Sequence, residues 1–205
     1  DFTRKDIMRF CEERQIKMLN FRYVAEDGRL KTLNFVINSR DYLETILTRG
    51  ERVDGSSLFS FIESGSSDLY VVPRYRTAFV NPFAEVPTLD IFCSFYNNHG
   101  RPLESDPYTI LHRADQLFTK ETGSRFMALG ELEYYVIAPA GGLYPGVDQK
   151  GYHASEPFAK YEFIRNEALQ MIARAGGNIK YGHSEVGCFT QGESYYEQHE
   201  IEFLP

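Results

Sequence analysis

Gly130-Glu131-Leu132-Glu133-Tyr134 lies inside a run from Met127 to Ile137 that reads as a strand. Glutamate is disfavoured in strands, above all between apolar neighbours. The two-residue period of a strand puts Glu131 and Glu133 on the same face. Two carboxylates ~6 Å apart repel by roughly 3 kcal/mol at an effective dielectric of ~20. Solvent, a basic partner, a shared proton or a metal ion must offset that. The same spacing recurs twice: His183 and Glu185 within Ile179 to Val186, and Gln198, Glu200 and Glu202 within Gln198 to Phe203. Three neighbouring strands with carboxylates turned inward would make an oxygen-rich site suited to Mg²⁺ or Mn²⁺. The plainer reading is a solvated face of an open sheet, with His183 a hydrogen-bonded structural histidine.

Outward from these strands, the second half of the chain opens on a helix. Asp106 caps it, Pro107 fits the first helical position and Gly123 stops it. Ile110, Leu111, Ala114, Leu117 and Phe118 form its apolar stripe. Residues 139–157 read as a long loop rich in Gly and Pro, and Phe158 to Ala175 as a second helix. In the first half, Thr3 caps a helix, and Ile16 to Val24 is a strand with Leu19, Phe21 and Tyr23 on one side. Asp27-Gly28 is a hairpin turn signal, and Leu30 to Ile37 is the returning strand. Ser39 caps a short helix, and Leu69 to Val72 and Leu89 to Tyr96 are strand-like. This mixture predicts an α+β fold with a small first domain over 1–102 and a second over 103–205.

The chain has 205 residues, 22 basic and 29 acidic, for a net charge of −7. That balance argues against nucleic acid as a partner. The apolar runs fall short of the ~18 residues a membrane span needs. Cys11, Cys93 and Cys188 are odd in number and widely spaced, which fits buried thiols in a reducing cytoplasm. The polar start at Asp1 is no secretory signal, and its lack of Met suits a trimmed chain. The sequence holds no Cys-x-x-Cys, phosphate-loop, Gly-x-Gly-x-x-Gly or Gly-x-Ser-x-Gly pattern.

In order along the chain, the motifs resemble the amino-terminal half of glutamine synthetases. Val53-Asp54-Gly55-Ser56-Ser57 is similar to that family's Asp-Gly-Ser-Ser loop. Ser67-Asp68 through Pro73, Thr77 and Asn81-Pro82-Phe83 follow, then Cys93, Gly100, Pro102 and Asp106-Pro107. Gly130-Glu131-Leu132-Glu133-Tyr134, His183-Ser184-Glu185-Val186 and Gln198-His199-Glu200-Ile201 are similar to its three glutamate-bearing strands. Each motif is short; their ordered series is what is specific. The chain departs from the pattern at Tyr108, at Arg74-Tyr75-Arg76, in an apparent insertion over 187–197, and at Glu197, where the family usually has Gly.

The resemblance implies a β-grasp-like amino-terminal domain, then the first strands and helices of a catalytic domain. It implies a parent that joins ammonia to glutamate with ATP, through γ-glutamyl phosphate, as a homo-oligomeric ring. Glu133, Glu185 and Glu200 would bind one ion, with Glu202 the fallback for Glu200. Glu131 would bind another, and Asp54 would bind and deprotonate ammonium across a subunit boundary. These 205 residues alone are expected to be inactive, since the rest of the family's ATP site lies elsewhere. Two alternatives stand beside this: a γ-glutamyl-amine ligase using a larger amine of polyamine type, and a catalytically silent structural or interaction relative.

Overall fold

A computed structural model describes residues 2–205. They form two compact units, which divide between Phe126 and Met127.

In the first unit, α1 (Arg4–Glu13) begins at Thr3 with a capping box: the Thr3 hydroxyl accepts from the Asp6 amide, and the Asp6 carboxylate accepts from the Thr3 amide. β1 (Met18–Val24) and β2 (Leu30–Val36) pair as an antiparallel hairpin, with Gly28 at positive φ in the turn. α2 (Arg40–Arg49) is capped by Ser39, as expected. β3 (Glu51–Asp54), β4 (Asp68–Pro73), the short β5 (Phe79–Val80) and β6 (Thr88–Asn97) complete the sheet. Its order is β2-β1-β6-β4-β3, with β5 paired to β6. β1 and β6 run parallel at its centre.

One face of this sheet is the core. Leu19, Phe21 and Tyr23 of β1 and Leu89, Ile91, Cys93 and Phe95 of β6 are buried with Ile7, Met8 and Cys11 of α1 and Leu43, Ile46 and Leu47 of α2. Burying each large side chain contributes roughly 1.5–3 kcal/mol. Phe95 also stands edge-on to Tyr23 and Phe59, at 5.3 and 5.0 Å between centroids. Cys11, Cys93 and Cys188 are free and buried, as the sequence suggested, and burial pushes the Cys11 thiol up to about 11.

The helix α3 (Pro107–Thr122) has the expected caps at Asp106 and Gly123. None of its residues is buried, and Ile110, Leu111, Leu117 and Phe118 are exposed along the apolar stripe. Asp106 reaches back to the sheet, accepting from the Phe95 amide. Among the described residues no helix is long and apolar enough to cross a membrane.

The second unit holds β7 (Gly130–Pro139), α4 (Glu162–Arg174), β8 (Ile179–Gln191) and β9 (Ser194–Phe203). The strands form an antiparallel sheet in the order β7-β9-β8, and α4 packs over β8 and β9. β8 and β9 are longer than the sequence suggested. The stretch 187–197, which looked like an insertion, is the far end of their hairpin, turned at Gly192-Glu193 with Gly192 at positive φ.

Opposite the first unit's core, the sheet carries a buried polar cluster. Asp90 accepts from Asn20 Nδ2 at 2.8 Å and from Arg22 Nε and Nη2, both at 2.7 Å. These residues join the central parallel pair, and removing one partner of a buried ion pair strands the other. Asp90→Ala is expected to lower the unfolding free energy in urea by about 3 kcal/mol. A loss under about 0.5 kcal/mol, the usual scale of a surface change, would contradict this placement.

Candidate metal centre

The register of the second sheet assembles the carboxylates. Glu131 lies opposite Glu202, and Glu133 opposite Glu200, across β7 and β9. His183 lies opposite Glu200 across β8 and β9. Directly paired residues share a face, so three strands aim their polar side chains at one patch. One ligand atom each from His183, Glu185 and Glu200 falls within 4.8 Å of the others, and the same holds for Glu131, Glu200 and Glu202. Glu200 belongs to both groups and is only 8% exposed. His183 Nε2 is 3.9 Å from Glu200 Oε2 and 3.8 Å from Glu202 Oε1, and Nδ1 is 3.8 Å from Glu185 Oε2.

Glu185 reaches this patch through an irregularity in β8. Ser184 pairs with His199 and Cys188 pairs with Glu197. Glu185, Val186 and Gly187 therefore arch over a single partner, Gln198. Gln198 braces the arch: its Oε1 accepts from the Gly187 amide at 2.9 Å, and its Nε2 donates to Glu133 Oε1 at 2.8 Å. A Cβ at residue 187 would meet Gln198 Oε1 and the Tyr135 hydroxyl, so a larger residue there would have to displace the ends of both side chains.

The surroundings treat the glutamates differently. Glu202 Oε2 takes a 2.6 Å salt bridge from Lys180 Nζ, and the hydrogen bonds from Lys180 and Tyr181 hold its carboxyl below the ordinary value. Glu200 goes the other way. Burial raises its pKa first, Glu131 adds to the rise, Glu185 and Glu133 add further, and His183 opposes them. The donor set, carboxylate oxygens plus one imidazole around a crowded buried carboxylate, fits a hard divalent cation such as Mg²⁺ or Mn²⁺.

Asp54 lies in the first unit, where it caps a short 3₁₀ turn at Gly55–Ser57. Its Oδ1 accepts from the Ser56 hydroxyl at 2.7 Å and the Ser56 amide at 3.0 Å, and its Oδ2 from the Ser57 hydroxyl at 3.0 Å. The side-chain hydrogen bonds of Ser56, then Ser67 and Ser57, hold its pKa at about 2. Asp54 is thus a firmly ionised carboxylate, better suited to binding a cation than to retaining a proton.

Several residues around the patch escaped the sequence reading. Gln149, Gly151 and His153 donate backbone hydrogen bonds to Cys188, Val186 and Ser184, so the loop 139–157 runs along the outer edge of β8. It sets His153 and Tyr152 against His183, with ring centroids 4.7 and 5.4 Å away. Behind the sheet, Arg165, Ser184, Glu197 and His199 are buried and mutually hydrogen-bonded. The available signal was strand alternation: Ser184 and His199 each sit between two residues of the carboxylate face, so they must point the other way.

The raised Glu200 pKa fixes the sign of a pH effect. The folded chain holds the Glu200 proton to higher pH than the unfolded chain does, so stability falls as pH rises above the ordinary value of 4.5. Without divalent cations, Glu200→Gln is expected to stabilise the second unit at pH 7 by about 1 kcal/mol, the size of one partly solvated carboxylate repulsion. The gain should vanish near about pH 4, where both side chains are neutral. Urea denaturation at the two pH values checks this; destabilisation at pH 7 would contradict it.

Comparison with known proteins agrees with this architecture. Residues 15–98 match the family described as glutamine synthetase, beta-grasp domain. The glutamine synthetase of Methanococcus maripaludis is 27% identical over 203 residues, which cover 96% of this chain and 44% of the relative. That of Thermotoga maritima is 28% identical, covering 98% and 44%. The chain thus spans under half the length of the relatives it matches. Among solved structures, the cryo-EM glutamine synthetase of Plasmodium falciparum superposes with a TM-score of 0.74 at 15% identity, over 98% of this chain and 44% of that one. A ligand-free GmaS structure gives 0.72 at 12% identity, over 98% and 46%. Residues 15–98 are therefore similar to the β-grasp domain of glutamine synthetases, and the chain along its length is similar to their amino-terminal part.

Proposed function

We propose that this chain provides part of the active site of an ATP-dependent glutamate–ammonia ligase. The observation that carries this reading is the gathering of Glu131, Glu133, Glu185 and Glu200, with His183, on one face of β7-β9-β8. Glu133, Glu185 and Glu200 serve one divalent cation, and Glu131 serves a second. Glu200 rather than Glu202 is the last ligand of the first ion, because Lys180 already engages Glu202 at 2.6 Å. Bound there, Mg²⁺ or Mn²⁺ would neutralise the anionic oxygens of ATP and glutamate.

The reaction takes two steps. The γ-carboxylate of glutamate attacks the terminal phosphorus of ATP, releasing ADP and leaving γ-glutamyl phosphate. Ammonia then displaces phosphate to give glutamine. This chain contributes the carboxylates that would hold the cations facing the polyphosphate, and Asp54, which binds ammonium. A carboxylate with a pKa of about 2 attracts ammonium and passes on any proton it accepts, rather than storing it. The proposed organisation keeps a β-grasp-like domain at 1–102 and the opening of a catalytic domain at 103–205. The working form is a homo-oligomer in which Asp54 serves a neighbouring subunit's site. The buried free thiols suit a cytoplasmic setting.

Synthetase activity is tested in a protein that carries these residues at its relatives' full length, with ATP, glutamate, Mg²⁺ and ammonia, and methylamine offered in parallel. Glutamine is the expected product. Asp54→Asn should raise the KM for ammonium by roughly tenfold or more, the loss of one charge-assisted contact, with little change in the KM for ATP. The 205-residue chain alone should form no glutamine. An absence of glutamine from the longer protein, or an Asp54→Asn variant with an unchanged KM for ammonium, would overturn the corresponding role.

A further inference from the structure

The face of the β7-β9-β8 sheet away from the carboxylates holds a single connected chain of buried polar groups. Arg165 of α4 donates from Nη1 to Ser184 Oγ at 3.0 Å and to His199 Nδ1 at 2.9 Å. Its Nη2 pairs with Glu162 Oε1 at 2.9 Å. Arginine only donates, so His199 Nδ1 must accept and its proton sits on Nε2. Nε2 donates to Glu197 Oε1 at 2.9 Å. Glu197 also accepts from the Lys160 and Tyr161 amides, at 2.9 and 2.8 Å, which lead into α4. The Tyr195 hydroxyl, 3.1 Å from Glu197 Oε2, lies 3.0 Å from Cys188 Sγ. Arg165, Ser184, Glu197 and His199 are all 5% exposed or less.

The location of this chain is informative. The arch that carries Glu185 begins after the Ser184–His199 pair and ends at the Cys188–Glu197 pair. Arg165 bridges the first pair, and Tyr195 ties Cys188 to Glu197 at the second. His199–Glu197 joins the two ends. On the opposite face, Ser184 is flanked by His183 and Glu185, and His199 by Gln198 and Glu200. The like charges in front repel one another where the regular ladder is interrupted. A binding constellation must hold its geometry to within ~0.5 Å, which an irregular strand edge does not achieve unaided.

We propose that Arg165, His199 and Glu197 are positioning residues, a hydrogen-bonded brace behind the sheet that fixes the β8 arch and so sets the spacing of Glu185 and Glu200 for a divalent cation. This rests on reading the front-face carboxylates as a metal site. None of the three need touch the ion. They act through the backbone of β8 and β9, and buried polar groups joined this way hold one arrangement because an unpaired member is penalised.

The test measures the Mn²⁺ dissociation constant of the 205-residue chain by EPR, well below its melting midpoint, with folding followed by amide NMR. His199→Leu breaks the brace at its centre and should weaken binding roughly 10- to 100-fold. His199→Gln can still donate to Glu197 and accept from Arg165, and should restore affinity to within about threefold of wild type. Tyr195→Phe removes the hydroxyl that ties Cys188 to Glu197, leaves the Arg165–His199–Glu197 bonds in place, and should weaken binding by about threefold or more. A purely structural role would lower the melting temperature of these variants and leave the affinity of the folded protein unchanged. Folded His199→Leu and Tyr195→Phe proteins that bind Mn²⁺ within about twofold of wild type would overturn the brace alone. If His199→Leu does not fold, Tyr195→Phe decides by the same criterion. A wild-type chain that takes up no Mn²⁺ would overturn the metal reading and the brace with it.

Discussion

Repulsion among Glu131, Glu133, Glu185 and Glu200 on one face of three strands is the constraint that shapes the second unit. Strand pairing forces Glu133 against Glu200 and Glu131 against Glu202, because the register that buries Ile201 and His199 on the other face leaves no alternative. Several of these carboxylates have a counterweight. Lys180 takes Glu202, Gln198 takes Glu133, and His183 stands between Glu185 and Glu200. Glu200 is left with a raised carboxyl, buried and surrounded by like charge. A sheet arranged only for stability would have no reason to retain that residue, since a neutral side chain would relieve the strain. The arrangement makes physical sense once a cation completes it.

Much of this was legible in the sequence. Strand period placed Glu131 with Glu133 and His183 with Glu185, and the three strands are neighbours as inferred. Local chemistry also marked the first unit well. The hydroxyls of Thr3 and Ser39 and the carboxylate of Asp106 cap the helices, and Gly28 turns the first hairpin. These features are decided within a few residues, where sequence carries the information directly. What stayed hidden depends on distant partners. β3 and β5 are short strands made by pairing with β4 and β6. The far half of the β8–β9 hairpin looked like inserted loop because Gly187 and Gly192 interrupt its apolar pattern. Arg165 reads as an ordinary charge on an amphipathic helix; only tertiary packing shows it buried against His199.

The two carboxylate environments differ in a way that matches their proposed tasks. Asp54 is ringed by serine hydroxyls and one amide, all donors, which stabilise its anion without neutralising it. It can hold a small cation such as ammonium while remaining charged. Glu200 is instead crowded by Glu131, Glu185 and Glu133, a setting that favours a divalent ion. One protein thus tunes the same functional group in opposite directions. The first unit does so on a tight turn below its sheet strand β3, and the second on an arched strand braced from behind.

The central claim is that the carboxylate face of β7-β9-β8 is a divalent metal site. Paramagnetic broadening of amide NMR signals by substoichiometric Mn²⁺ addresses it most directly, because it reports where the ion sits rather than only that it binds. The account predicts that the signals of residues 131–133, 183–187 and 198–202 disappear first, and that excess Mg²⁺ restores them. Broadening centred elsewhere, or spread evenly over exposed acidic residues, would contradict it.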